Sequence, residues 1–170
     1  MVLARVCPRW VSLVGASPQG WTLTDHPGRV ALLLRYSLLW RAGLTDLFGS
    51  DYPGYPRRSE VSWVYWSYRL ASKVLVKSFA RVDTVSDLWP CAGWLERELW
   101  EMFGVPVTGH PDLRRLVTDY GFVGYPLRKD FPVAGYLEVR YSELARRVVS
   151  RPVGFTQEFR LFDFRSPWHT

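Results

Sequence analysis

Cysteine is almost missing from this chain: Cys7 and Cys91 are the only two among 170 residues. An iron–sulfur cluster is normally held by four thiolates and a structural zinc by four sulfur or nitrogen ligands, so two cysteines without a CxxC pair can ligate neither within this chain alone. A disulfide framework is equally unsupported, and the usage points to a reducing compartment. Histidine is scarce too, with His26, His110 and His169 far apart and no clustered third ligand beside His110 and Asp112. Long hydrophobic runs are also lacking. The longest, Val30 to Trp40, is interrupted by Arg35 and falls well short of the roughly 20 residues needed to span a bilayer. Gly121 and Gly124 neither follow a strand nor open a helix, so there is no dinucleotide-binding fingerprint. No internal repeat and no low-complexity run occurs.

What is abundant is apolar and aromatic. Hydrophobic residues make up 48%, with 9 Trp, 9 Tyr and 9 Phe, enough for one core domain plus an extension. The formal charge is +6 with a pI near 9.6, carried mainly by arginine. That balance favours an acidic protein partner, RNA or an anionic membrane surface. The first acid is Asp25, and Arg5 and Arg9 precede it, so the start mimics an organellar presequence; against that, the chain begins at Met1, and the expectation is that it acts where it is made or carries an internal targeting signal.

Two short apolar pieces from Trp10 to Thr24 flank Ser17-Pro18-Gln19-Gly20 and predict a hairpin. Asp25-His26-Pro27 predicts a helix start, with Val30, Leu33, Leu34 and Leu38 as the buried stripe. A strand is expected around Leu44 to Phe48. Val61 to Tyr68 and Lys73 to Arg81, rich in Val, Trp, Tyr and Phe, predict two more joined by a short link. A second helix is expected over Pro90 to Phe103, with Leu95, Leu99, Met102 and Phe103 on one stripe and Glu96, Arg97, Glu98 and Glu101 on a solvated or partner-facing surface. Gly104 and Pro106 stop it. The order implies an α+β fold: a small antiparallel or mixed sheet with two helices on one face, followed by a long irregular C-terminal arm. The domain boundaries read from this are 1–104 and 105–170.

Pro106, Gly109, Pro111, Gly121, Gly124, Pro126, Pro132 and Gly135 forbid a long helix or central strand in the arm. Yet the arm carries about a dozen large apolar side chains, each worth roughly 1.5–3 kcal/mol if buried. They require a surface, either this chain's own sheet or another subunit. Among them stand Arg114, Arg115, Asp119, Arg128, Lys129 and Asp130, suited to fixing register through charge-assisted hydrogen bonds. Glu96, Arg97, Glu98, His110, Asp112, Arg114, Arg115, Asp119, Arg128, Lys129 and Asp130 are therefore expected at a partner interface, with Tyr120, Phe122 and Phe131 as anchors. No catalytic residue, no cofactor-binding residue and no metal ligand is assigned.

The same residues carry a resemblance. Glu96-Arg97-Glu98, Glu101-Met102-Phe103-Gly104, His110 to Leu116, Thr118 to Phe122 and Pro126 to Pro132 closely resemble the signature of the thirty-kilodalton subunit of respiratory complex I, also called NADH dehydrogenase subunit nine. The ending EFRLFDFRSPW resembles the mitochondrial branch. The likeness is dense from about Val85 to Trp168. It implies a non-catalytic core subunit of the quinone module, in the peripheral arm on the matrix side of the inner membrane. Its expected partners are the quinone-site subunit and the terminal iron–sulfur cluster subunit. The complex would carry FMN, iron–sulfur clusters and ubiquinone, with no redox cofactor, nucleic acid or membrane span on this chain. One departure is Tyr125, where the family usually has His. The rival reading, from the basic charge and the tryptophans, is an RNA-associated component of an organellar ribonucleoprotein.

Overall fold

The computed structural model describes residues 12–17, 20–24, 27–37, 41–79 and 82–158, together with 160, 162 and 168. The presequence-like start, the Pro18-Gln19 turn, Asp25-His26, Leu38, Arg81 and the C-terminal Phe159, Leu161 and Phe164 lie outside the described residues. The chain divides into two compact units, residues 1–131 and 132–170. Residues 105–131, which the proline pattern groups with the arm, thus belong with the first unit.

In the first unit the elements are β1 (Ser12–Ser17), β2 (Gly20–Thr24), α1 (Pro27–Tyr36), β3 (Ala42–Asp51), β4 (Ser59–Ser67), β5 (Ser72–Phe79), β6 (Val82–Asp83), α2 (Ala92–Phe103) and β7 (Val107–Thr108). Five strands form one sheet in the order β1-β2-β5-β4-β3. All neighbours run antiparallel except β2 and β5, which are parallel, so the sheet is mixed. The α+β class and the order of the longer elements agree with the sequence reading; the two-residue strands β6 and β7 are not in it.

Alternation along β4 sets the buried face. Val61, Trp63 and Tyr65 are wholly buried, and the register places Trp63 between Leu47 and Val76, and Tyr65 beside Val74. Period-two patterning thereby stacks the largest side chains on one side of the sheet. Both helices cover that side. Helix α1 contributes Val30, Ala31 and Leu34, and α2 contributes Ala92 and Leu99, to one contiguous core. Tyr65 packs on Trp89 with ring centroids 5.2 Å apart, and the Arg35 guanidinium lies 5.8 Å from the centroid of the Trp89 ring.

The approach of α2 to β3 needs a glycine. A Cβ at Gly49 would lie 2.8 Å from Leu99 Cδ1 and from Phe103 Cδ2, closer than packed carbons tolerate. At the other end of α2, Gly104 adopts φ 69° and its N–H donates to the Trp100 carbonyl at 2.9 Å. This is the left-handed stop expected from the sequence.

The second unit contains β8 (Leu137–Ser142) and β9 (Arg147–Pro152), an antiparallel pair. The sequence reading leaves this hairpin as irregular arm. Its strands alternate Leu, Glu, Val, Arg and Tyr, a period-two pattern masked by Pro152 and the high charge.

Candidate docking surface and the clamps that build it

Helix α2 and the strip after it are tied together by charged side chains, beginning with two carboxylates in the interior. Glu96 is 1% exposed and Glu101 is 0% exposed. The expectation that they lie on a solvated or partner-facing surface of the helix is corrected, and the cause is local. Each finds backbone donors that the irregular chain beside it cannot satisfy by a ladder of its own.

Glu96 organises the link between β6 and α2. Its Oε1 accepts the Val85 N–H at 2.7 Å, and its Oε2 accepts the Thr84 hydroxyl at 2.6 Å. Burial pushes the Glu96 carboxyl up, against the lowering pull of these two donors. His110 lies 3.8 Å from the same oxygen. The Asp112 N–H donates to His110 Nδ1 at 3.1 Å, so Nε2 carries the proton and donates to the Gly93 carbonyl at 3.2 Å. His110 is thus a buried strut between the arm and the first turn of α2. Tyr65 completes the neighbourhood, its phenol pushed up by burial and by the negative charge of Glu96.

Glu101 binds three consecutive amides. Leu116 N–H donates to Oε2 at 2.6 Å, Val117 N–H to Oε2 at 2.9 Å and Thr118 N–H to Oε1 at 2.5 Å, and the Thr118 hydroxyl donates to Oε1 as well. Burial alone would push this carboxyl up; the Thr118 hydroxyl and the backbone donors outweigh it and hold the group at about 2. One helical turn back, Arg97 donates from Nε to the Arg114 carbonyl at 3.0 Å and from Nη2 to the Arg115 carbonyl at 3.1 Å. Carboxylate and guanidinium therefore read donors and acceptors of the same short segment.

A third clamp closes the C-terminal end of α2. Arg128 Nε donates to the Phe103 carbonyl at 2.6 Å, and the Leu127 N–H donates to the Met102 carbonyl at 3.2 Å. Carbonyls that the helix leaves unsatisfied are met this way. The Arg128 guanidinium sits 4.4 Å from the centroid of Tyr125. Tyr125 thus gives the arginine an aromatic shelf.

A fourth clamp ties the strip to β3. Asp51 receives Arg58 through two hydrogen bonds, 2.5 and 2.8 Å, and the Lys129 N–H at 2.7 Å. The Arg58 guanidinium foremost, with the Lys129 N–H, holds the Asp51 carboxyl at about 2. Arg58 also reaches Asp130 at 2.9 Å, and that pairing draws the Asp130 carboxyl down. The sequence does not single out Asp51 and Arg58. They sit in a turn-rich stretch seventy-odd residues before their partners, and nothing local marks such a pairing.

The residues expected at a partner surface thus divide. Glu96 is buried and His110 nearly so; both are engaged inside the chain. Arg97, Arg115, Arg128 and Asp130 make contacts within the first unit: Arg115 lies 5.7 Å from the Trp100 and Phe122 rings and donates to Thr118 Oγ1 at 3.2 Å. Phe122 and Phe131 pack on each other, with centroids 5.9 Å apart. Glu98, Asp119, Tyr120 and Lys129 are exposed, as is the Asp112–Arg114 pair, whose carboxyl is drawn down by its arginine. Around them Val117, Val123 and Leu127 also point outward, and Tyr120 is 103% exposed. The clamps turn a proline-rich strip into a fixed platform, and the platform offers apolar side chains to solvent. Among the described residues no group of three or more His, Cys, Asp and Glu side chains could hold a metal ion, and no helix is long and apolar enough to cross a membrane.

By class this is a small α+β unit whose charged side chains brace an outward-facing apolar strip. The family follows from comparison: residues 24–137 match the profile of the respiratory-chain NADH dehydrogenase, 30 Kd subunit, and the chain belongs to that family. It is 48% identical to NADH dehydrogenase [ubiquinone] iron-sulfur protein 3 of Oryza sativa subsp. japonica, over 94% of this chain and 88% of the relative. The Marchantia polymorpha protein of the same name is 43% identical, over 98% of this chain and 89% of the relative. A chain in the structure of the membrane-bound sulfane sulfur reductase, an archaeal respiratory membrane complex, shares the fold with TM-score 0.59 at 17% identity, over 77% of this chain and 84% of that one. The words iron-sulfur belong to the relatives' names. Here Cys91 is exposed and Cys7 is the one other cysteine, against the four thiolates that most clusters take.

Proposed function

We propose that this chain works as a non-catalytic scaffold in the peripheral arm of the proton-pumping NADH:ubiquinone oxidoreductase, complex I, on the matrix side of the mitochondrial inner membrane. As a member of the 30 Kd subunit family it is a respiratory-chain subunit. The finer reading concerns what it touches. Its platform would lie against the quinone-site subunit and the terminal iron–sulfur cluster subunit, holding them within electron-transfer geometry. FMN, iron–sulfur clusters and ubiquinone would be carried by other subunits, none by this chain.

The observation that carries this is the outward set Val117, Tyr120, Val123 and Leu127 on a strip fixed by Glu101, Arg97 and Arg128. A rigid apolar surface rimmed by Asp112, Arg114, Asp119 and Lys129 loses little entropy on docking and has charges to select its partner. The comparisons give no support to the ribonucleoprotein alternative; of the tryptophans behind it, Trp63 and Trp89 are core residues, while Trp94 and Trp168 are exposed.

The test is purification of the tagged full chain from mitochondria with mass spectrometry of what accompanies it, for wild type and for Arg114→Ala. Wild type is expected to bring down the quinone-reducing module, with flavin and iron–sulfur absorbance. Arg114→Ala should leave the fold intact and lower recovery of that module. An Arg114→Ala chain that assembles fully but stops electron transfer would contradict the scaffold role.

A further inference from the structure

The second unit holds an element that the platform does not use. In the β8–β9 hairpin the register puts Val139 opposite Ser150, Tyr141 opposite Val148, and Leu137 opposite Pro152. Residues directly opposite in an antiparallel pair share a face, so Leu137, Val139, Tyr141 and Val148 lie together. Each is more than half exposed. The reverse face is charged. Glu138 and Arg151 form an ion pair there, while Arg140 and Arg147 have no acidic partner among the described residues.

Two physical problems follow. A two-stranded hairpin is marginal in water unless its apolar face is packed against something. On the other side, Arg140 pairs with Val149, and Arg147 stands two residues from Val149 on the same strand face. They are therefore diagonal neighbours with backbones about 7–8 Å apart, and their like charges, tolerated in water, become costly once this face is covered unless an anion lies beside them.

One kind of surroundings answers both. We propose that the hairpin inserts into a cleft of a neighbouring protein subunit, with its Leu137–Val139–Tyr141–Val148 face on an apolar wall and with Arg140 and Arg147 facing carboxylates on the other wall. The choice of a protein rests on the two-sidedness. An anionic lipid surface presents charge and apolar depth on the same side of a bound element, whereas here they are opposed. The proposal rests on the subunit reading above and adds the partner's chemistry: an apolar floor opposite an acidic wall.

The experiment uses the full chain assembled in the intact complex, with a photo-reactive residue placed at Val139 in one version and at Arg140 in another. Both positions are expected to crosslink to protein of the complex, and peptide mapping is expected to find apolar residues trapped from Val139 and Asp or Glu residues trapped from Arg140. In parallel, the pairs Val139→Lys with Val148→Lys, and Arg140→Glu with Arg147→Glu, should each lower recovery in the complex by about tenfold. Hydrogen exchange over residues 42–103 should be unchanged in both, showing that the first unit is folded. Wild-type recovery for both pairs would overturn the hairpin inference while leaving the subunit reading intact. So would crosslinks confined to the same chain or to a second copy, or binding to anionic vesicles without any protein crosslink. A wild-type chain absent from the complex would instead sink the subunit reading itself.

Discussion

Glu101 in helix α2 and Thr118 in the strip beyond it are joined twice: the Thr118 N–H and its hydroxyl both donate to Glu101 Oε1. Both oxygens of this carboxylate accept backbone N–H groups, from Leu116 and Val117 on one and from Thr118 on the other. Glutamine cannot replace it, because an amide NH2 would face an N–H donor wherever it turned. Glu101→Gln is expected to cost about 1–3 kcal/mol, read as a lower midpoint in denaturant unfolding of the full chain. An unchanged midpoint would mean that Glu101 does not hold the strip.

Glu96 should behave differently despite similar burial. Its Oε1 takes the Val85 N–H, but its Oε2 meets the Thr84 hydroxyl, which can accept as well as donate and which also lies 2.8 Å from Ser86 Oγ. Gln at position 96 can keep its oxygen on Val85 and give its NH2 to Thr84, while Thr84 turns to Ser86. It also removes a desolvated charge. Glu96→Gln is therefore expected to be neutral or to stabilise by up to about 1 kcal/mol at pH 7. A loss as large as that of Glu101→Gln would contradict this account.

Acid titration separates the two groups further. Asp51 and Glu101 sit at about 2 in the fold against ordinary values of 3.8 and 4.5. A carboxyl that is more acidic folded than unfolded adds stability fully present above the unfolded value and lost as pH falls through the folded one. Stability should thus decline from about pH 5 toward pH 2, each tenfold lowering of proton affinity being worth about 1.4 kcal/mol at most. Glu96 has the opposite sign: raised in the fold, it contributes only while protonated and loses that contribution as pH rises through its folded value. Glu101→Gln should flatten the acid limb. Glu96→Gln should leave that limb in place, its advantage over wild type shrinking as the solution is acidified.

These carboxylates also show what a sequence cannot convey. Hydrophobic spacing locates α1 and α2, and the Val, Trp and Tyr alternation locates β4 and β5, because each pattern is written in neighbouring residues. Gly104 and Pro106 predict the end of α2 where the structure stops it. By contrast, Glu96 and Glu101 lie beside the apolar stripe and look like solvent residues. Their burial depends on amides at 85 and 116–118, whose position in space no local pattern encodes. The parallel pairing of β2 with β5 is hidden for the same reason, since it joins strands separated by a helix and two strands. Among the interface candidates, Arg97, Arg115 and Arg128 make contacts within this chain, and no local pattern marks those contacts.

Gly49 tests the closeness of helix and sheet. Gly49→Ala places a methyl 2.8 Å from both Leu99 Cδ1 and Phe103 Cδ2, and Leu99 is buried in the core. Relief requires α2 to shift outward, at a cost of about 1–3 kcal/mol. Because the strip hangs on α2 through Glu101 and Arg97, the displacement should reach it. The expected result is a lower thermal midpoint together with faster amide exchange at Leu116 to Thr118. Faster exchange in β3 alone would show that the strip is held independently of the helix.

Arg128 tests whether the C-terminal clamp needs a planar cation. Its Nε donates to the Phe103 carbonyl at 2.6 Å while the guanidinium carbon lies 4.4 Å from the Tyr125 ring centroid. A lysine ammonium is a compact charge on a flexible stem and cannot present a directed donor from within a stacked plane. Arg128→Lys should therefore resemble Arg128→Ala, each costing about 0.5–1.5 kcal/mol. Amide exchange in the last turn of α2 should rise in both variants, because the Phe103 carbonyl loses its partner and the turn frays. If lysine restored wild-type protection, charge at the helix C-terminus would suffice, and the stacking on Tyr125 would have no part in holding the strip.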